Sequence, residues 1–264
     1  MKVITVAIQK GGTGKTTTAA ILAQAAVARG LQVLAVDLDP QGNFSFALGA
    51  NPAAETGTAY NLLTGRPAAE CIHTTAQGLD IIPADRDLAT ITSGTGSARR
   101  LREALRPVRD WYDIIIIDTP PTAGELQYNA LMAADGLIIP LQADAYNLQS
   151  LYQMADTAQQ IQQSNDGLQI LGIVFTQYDG RSIISRQMQK TIINSAAKMG
   201  VPYLGTIRGA VAVKEAAALQ QSLYQYAPKS KPAADYMDVF HYITDNKYLV
   251  NTAQDYLKHD AQEV

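Results

Sequence analysis

Seven residues near the start of the chain, Gly11-Gly12-Thr13-Gly14-Lys15-Thr16-Thr17, constrain its fold more than any other feature. They follow an apolar, β-branched run and open an Ala-rich helical stretch. In a strand–loop–helix setting, glycines let successive backbone N–H groups converge on phosphate oxygens, and the helix N-terminus adds partial positive charge. Gly11, Gly12, Thr13, Gly14, Lys15, Thr16 and Thr17 are therefore the expected nucleotide-binding residues. Lys15 is placed to bridge the β- and γ-phosphates, and the Thr16 hydroxyl to ligate Mg²⁺.

The remaining pattern fits such a loop. Apolar runs at residues 3–8, 33–37, 79–83, 114–118, 137–141, 170–176 and 203–207 alternate with helical stretches at 16–29, 98–105, 125–134, 148–163, 185–199, 211–222 and 233–242. Parallel strands joined by crossover helices give this order. Ile114-Ile115-Ile116-Ile117 shows no polar alternation, as expected when helices cover both faces of a sheet. The expected fold is a doubly wound α/β architecture with a mostly parallel sheet and helices on both faces. A length of 264 residues, 47% of them hydrophobic and 17% charged, suits one well-filled core. One domain is expected over 1–246, with a surface helix or tail over 247–264. Residues 42–78 are the least patterned, and a Gly/Thr/Ser loop is expected at 93–97.

Two further segments bring carboxylates to strand ends. Residues 33–43, Val-Leu-Ala-Val-Asp-Leu-Asp-Pro-Gln-Gly-Asn, deliver Asp37 and Asp39 to the C-terminal edge of a strand, where open α/β sheets bind ligands. Residues 112–121, Tyr-Asp-Ile-Ile-Ile-Ile-Asp-Thr-Pro-Pro, end a wholly apolar strand on Asp118, which is placed to contact Mg²⁺ directly or through water. Thr119 to Gly124 then forms a second switch loop. Trp111 and Tyr112 are expected to anchor the strand ahead of it.

Lys10 stands just before the glycines, and Gln9 occupies the first position of the common G-x-x-x-x-G-K-[ST] pattern. The run Lys10 to Thr17 resembles the deviant Walker A motif of the ParA/MinD ATPases. The segment 37–43 resembles that family's D-x-D-P-Q-G-N switch. Residues 176–181 resemble its T-x-Y-D-x-R segment, and Lys214-Glu215-Ala216 its S-E-A segment. The chain is similar to ParA/Soj proteins over roughly 3–242. This resemblance implies a P-loop ATPase of slow basal activity, with ATP and Mg²⁺ as cofactors. It also implies that Lys10 reaches across a homodimer to the partner's nucleotide, as an arginine finger does. By the same resemblance Asp39 orients the attacking water, Asp37 helps hold the magnesium shell, and residues 224–231 help enclose the adenine. Catalytic roles thus fall on Lys10, Lys15 and Asp39, and metal roles on Thr16, Asp37 and Asp118.

The implied function is ATP-dependent DNA partition, of a plasmid or a chromosome. An ATP-bound sandwich dimer binds DNA without sequence preference and is released when a ParB-like centromere-binding or adaptor protein stimulates hydrolysis. Arg181, Arg186, Lys190, Arg208 and Lys214 are the candidate DNA residues. Their spacing alone fits a solvated face equally well; the resemblance points to DNA. The chain departs from the family at Ile8, often Asn, and at Arg208-Gly209, often Pro-Arg. No helix-turn-helix segment precedes the motif, so operator binding is not expected.

Charge and composition narrow the alternatives. A net charge of -3 argues against a DNA-coating protein, so any DNA contact must be a local patch. The single cysteine, Cys71, leaves no thiol pair for a disulfide, zinc ribbon or iron–sulfur cluster. No leader and no 18-residue apolar run is present, giving the expectation of a cytoplasmic, nucleoid-associated protein. MinD-like relatives attach to membranes through a basic C-terminal helix. Here 247–264 carries two lysines against three carboxylates, a net charge of -1, so no membrane contact is expected. Positioning of a protein cargo on the nucleoid, and a dethiobiotin-synthetase-like ligase, are the other readings. The three histidines have no metal-ligand spacing.

Overall fold

The computed structural model describes residues 2–50, 57–92 and 97–244. The strands are β1 (Val3–Val6), β2 (Val33–Asp37), β3 (His73–Thr74), β4 (Asp80–Ile82), β5 (Ile114–Asp118), β6 (Gly136–Leu141), β7 (Gln169–Tyr178) and β8 (Tyr203–Arg208). They form one sheet in the order β3-β4-β2-β5-β1-β6-β7-β8. Every pairing is parallel except the short β3–β4 edge.

The helices are α1 (Lys15–Ala28), α2 (Asn43–Ala47), α3 (Ala59–Leu63), α4 (Arg100–Leu105), α5 (Glu125–Ala133), α6 (Ala145–Gln162), α7 (Ile183–Lys198), α8 (Val211–Ala218), α9 (Leu223–Tyr226) and α10 (Lys231–Thr244). Strand alternation divides the core between two layers. Ile114 and Ile116 pack with α1, α2, α8, α9 and α10, whereas Ile115 and Ile117 pack with α3, α4 and α5. Beside the latter, Leu137, Ile139, Ile173 and Phe175 meet α6 and α7. A strand buried on both faces needs apolar residues at every position, which is why β5 reads as an unbroken isoleucine run. The order reverses at β1, between β5 and β6, and there the loop to α1 leaves the sheet.

Several boundaries shift from expectation, for local reasons. β1 stops at Val6, and Ile8 lies fully buried in the core that includes Leu131 and Phe175, so an apolar side chain suits that position. The helix expected over 211–222 ends at Ala218, because Gln220 adopts a left-handed φ of 54° and Ser222 then caps α9. Tyr112 does anchor its strand, donating to Asp80 Oδ2 at 2.8 Å, but Trp111 is 59% exposed. The tail 247–264 lies outside the described residues, as does the loop expected at 93–97 apart from Ser97. Among the described residues, no helix is long and apolar enough to cross a membrane.

Two features of the core bear on the site. A buried amide clasp joins distant turns: Gln24 Nε2 donates to Gln77 Oε1, and Gln77 Nε2 donates to the carbonyls of Ala47 and Gln220, each at 2.9 Å. Leu223 N donates to Gln24 Oε1 at 3.0 Å. The α1 helix, the end of α2 and the α8–α9 corner are thereby tied together. The other feature is Gly172, at φ +147° in β7, where an added Cβ would lie 2.5 Å from Pro202 O. Gly172→Ala is expected to lower stability by about 1–3 kcal/mol through backbone overpacking. Urea unfolding measures this, and an unchanged midpoint would contradict it.

Candidate active site

The loop from β1 to α1 turns on two left-handed glycines, Gly12 at φ 76° and Gly14 at φ 83°. A Cβ at Gly14 would meet Thr176 Oγ1 at 3.2 Å, and that hydroxyl donates to Thr13 O at 2.7 Å. The end of β7 therefore fixes the loop, and only glycine allows so close an approach. Lys15 is 6% exposed, and its Nζ donates to Lys10 O at 2.7 Å, closing the loop upon itself. Burial pulls the Lys15 pKa down, against the opposing attraction of Asp118 and Asp39.

The parallel register sets Asp37 opposite Asp118 at the ends of β2 and β5. Burial, and then the Asp37 charge, raise the Asp118 pKa well above the usual carboxylate range. Thr16 Oγ1 donates to Asp118 Oδ2 at 2.7 Å, while Asp118 Oδ1 is buried with no hydrogen-bond partner. Asp37 Oδ1 accepts from Asp39 N at 3.0 Å, and Oδ2 accepts from Ser45 N at 2.8 Å and Ser45 Oγ at 2.7 Å. Burial pushes its pKa up to about 6 despite those bonds. Both Asp37 oxygens are thus engaged by the protein, and Asp118 Oδ1 is the open acceptor. Asp39 is 7% exposed and accepts from Gln41 N at 3.0 Å.

Three carboxylates and one ammonium under common burial leave an excess of negative charge that a divalent cation would offset. The orphaned Asp118 oxygen and the Thr16 hydroxyl are hard oxygen donors, fit for Mg²⁺. Among the described residues, no group of three or more His, Cys, Asp or Glu forms a protein-only metal cage. Mg²⁺ does not need one, since it is usually held by one or two carboxylates together with waters and substrate phosphates.

Lys10 lies at the rim. Its Nζ meets Asp144 Oδ1 and Oδ2 at 3.0 and 3.1 Å and sits 5.7 Å from the Tyr146 ring centroid. Asp144 is also the N-cap of α6, accepting from Tyr146 N and Asn147 N. The sequence carried a signal for this acid: an Asp ahead of a helical run is a common start signal, but a helix begun at residue 148 passes over it.

A cavity of about 380 Å³ opens beside the loop, lined by Gly14, Thr17, Thr176, Gln177, Ile207, Arg208, Gly209 and Val213, among others. Its walls come from the ends of β7 and β8 and the start of α8. Residues 224–231, expected to enclose the adenine, do not line it; Leu223 and Tyr224 join the core around α1 instead. Of the five candidate DNA residues, Arg181, Arg186 and Lys190 are exposed together around the start of α7. Arg181 is bound to Asp179 at 3.0 Å, and Arg186 Nη1 donates to Gly180 O at 2.6 Å. Arg208 is held by Asp235, with Nε donating at 2.9 Å, and both Arg208 and Lys214 line the cavity.

A family model described as an AAA domain matches residues 1–170, which include the glycine loop and both carboxylate segments. The chain is 39% identical over 236 residues to the chromosome-partitioning ATPase Soj of Thermus thermophilus, covering 88% of this chain and 91% of that protein. This chain belongs to the ParA/Soj family of ATPases. The chromosome partitioning protein ParA of Caulobacter vibrioides is 41% identical over 201 residues, covering 73% of this chain and 75% of that protein. Among solved structures, cobyrinic acid a,c-diamide synthase from Mycobacterium smegmatis, with bound ADP and magnesium, matches at a TM-score of 0.76 and 32% identity. That match covers 93% of this chain and 96% of that one. That structure thus shares the fold over nearly the whole chain.

Proposed function

We propose that this ParA/Soj-family chain is a DNA-partition ATPase that uses ATP and Mg²⁺. One observation carries the reading: Lys15, Thr16, Asp39 and an open Asp118 oxygen converge at one sheet edge, with a second lysine, Lys10, on the rim. A small-molecule ligase has no evident use for that second lysine. The kinship with Soj and ParA supports the same reading.

Bound ATP with Mg²⁺ supplies the phosphoryl group and the charge neutralisation that its transfer requires. Backbone N–H groups of residues 11–17 cradle the phosphates, and Lys15 holds their charge. Thr16 and Asp118 hold the cation. Asp37 secures α2 through Ser45, keeping the intervening turn in place, so that Asp39 can orient the attacking water. Lys10 leaves Asp144 and reaches the partner's nucleotide as two copies close face to face. Residues 1–246 act as one domain in this scheme, in the cytoplasm and on the nucleoid. Dimer formation joins two weak DNA surfaces and raises avidity. A ParB-like or adaptor protein then stimulates hydrolysis and release.

The test is binding of the unmodified protein to random-sequence duplex DNA with a non-hydrolysable ATP analogue, with ADP, or with neither. Binding with the analogue alone, weakening steeply as salt rises, is the expected result. Equal binding in all three states, or none, overturns the proposal.

A further inference from the structure

The most basic stretch of this acidic chain lies away from the nucleotide and from α7. Residues 99–109 hold five arginines and one glutamate. Leu101, Leu105 and Val108 are buried, turning one side of α4 and its continuation into the core. At 3.6 residues per turn, Arg99, Arg102 and Arg106 fall within about 60° of one another on the opposite side. All three are exposed, as is Arg100.

Arg109 is taken by Asp135, with Nη2 donating at 2.7 Å to both carboxylate oxygens. Among the described residues, the guanidinium groups of Arg99, Arg100 and Arg106 make no ion pair. Arg102 reaches only Asn165 Oδ1, at 3.4 Å. Like charges three and four residues apart destabilise a helix, so the ridge is held at a cost that a bound polyanion would offset. In the expected DNA patch, by contrast, Arg181 and Arg208 are already paired with Asp179 and Asp235.

We infer that the α4 arginine ridge is a second duplex-DNA contact surface, separate from the basic residues of α7 and β8. This rests on the DNA-partition reading and adds a face to it. Guanidinium forks match phosphate geometry, so the contact inferred for the ridge is to the duplex backbone. Seven residues of helix span about 10 Å, facing roughly six phosphate charges at one per ~1.7 Å of duplex axis. Trp111, the only tryptophan, shares with Arg100 the wall of a surface groove of about 520 Å³ between α3 and α4. Its emission therefore reports on this face and not on α7.

The experiment compares the unmodified chain with Arg102→Glu/Arg106→Glu and with the milder Arg102→Gln/Arg106→Gln. Each binds random 30-base-pair duplex with a non-hydrolysable ATP analogue, over a salt series. For the unmodified chain, DNA is expected to change Trp111 emission. In the charge-reversed variant the slope of log affinity against log salt falls by about two, at roughly 0.9 per phosphate contact. Its affinity drops at least tenfold, with DNA-free ATP turnover unchanged, and the glutamine pair shows a smaller drop. If the unmodified chain binds DNA while both variants keep its slope and Trp111 emission stays fixed, the ridge is not a DNA surface and the partition reading survives. If the unmodified chain binds no DNA in any nucleotide state, both inferences fall.

Discussion

Lys15→Ala is expected to lose ATP binding by a factor of about 30 to several thousand. The ammonium is buried at the mouth of the loop, where Asp118 and Asp39 draw it in and its hydrogen-bond partner is the Lys10 carbonyl. Incoming phosphates would add charge-assisted contacts to an ammonium that is itself buried. Truncating one member of such a buried pair costs about 2–5 kcal/mol, and each 1.4 kcal/mol is tenfold in affinity. The fold should survive, because β1, β5 and most of α1 pack through apolar side chains that do not involve Lys15. Titration calorimetry with ATP and Mg²⁺, beside a circular dichroism control, measures the effect. An affinity within threefold of the unmodified chain would remove Lys15 from the phosphate site.

Asp39→Ala is expected to slow hydrolysis by about 10²–10⁴-fold, the range typical of a positioned acid–base group, while leaving ATP affinity close to that of the unmodified chain. The reason lies in the separation of duties between two neighbouring carboxylates. Asp37 accepts from the Asp39 backbone N–H and from Ser45, so the turn and α2 keep their shape without the Asp39 side chain. Removing Asp39 also takes one negative charge from the crowd around Lys15 and Asp118. ATP should therefore persist unhydrolysed, and size-exclusion chromatography with ATP should show a stable dimer. A variant that remains monomeric with saturating ATP would refute the proposed sandwich.

The glycine loop between strand and helix, and the sheet, were the most legible in the sequence, since both are written in local chemistry. A glycine loop between an apolar strand and a helix admits few arrangements, and the isoleucines of β5 report burial on both faces. What stayed hidden depends on contacts far apart in the chain. The engagement of Asp37 with Ser45 requires knowing that α2 turns back to the end of β2, and residues 42–78 gave no periodic signal to place it. The pairing of Lys10 with Asp144 spans 134 residues. Arg208 looks like a free cation in the sequence because Asp235, which neutralises it, stands 27 residues away; Asp179, two residues from Arg181, was readable beside it. The arginines of α4 were equally readable by count.

The clasp of Gln24 and Gln77 also bears on the wall of the cavity beside the glycine loop. Gln77 holds the carbonyl of Gln220 just past the end of α8, and Gln24 receives the N–H of Leu223 beyond it. Freeing that end would strand buried amide groups, at about 1–3 kcal/mol for each one left unsatisfied. The opposite end of α8 follows Arg208, Gly209 and Ala210, which wall the cavity and are held by Asp235 of α10 and by Tyr178 O, to which Gly209 N donates at 3.4 Å. Both ends of α8 are therefore held, one to α1 through buried amides and the other to α10 and β7, so the helix keeps that cavity wall in place.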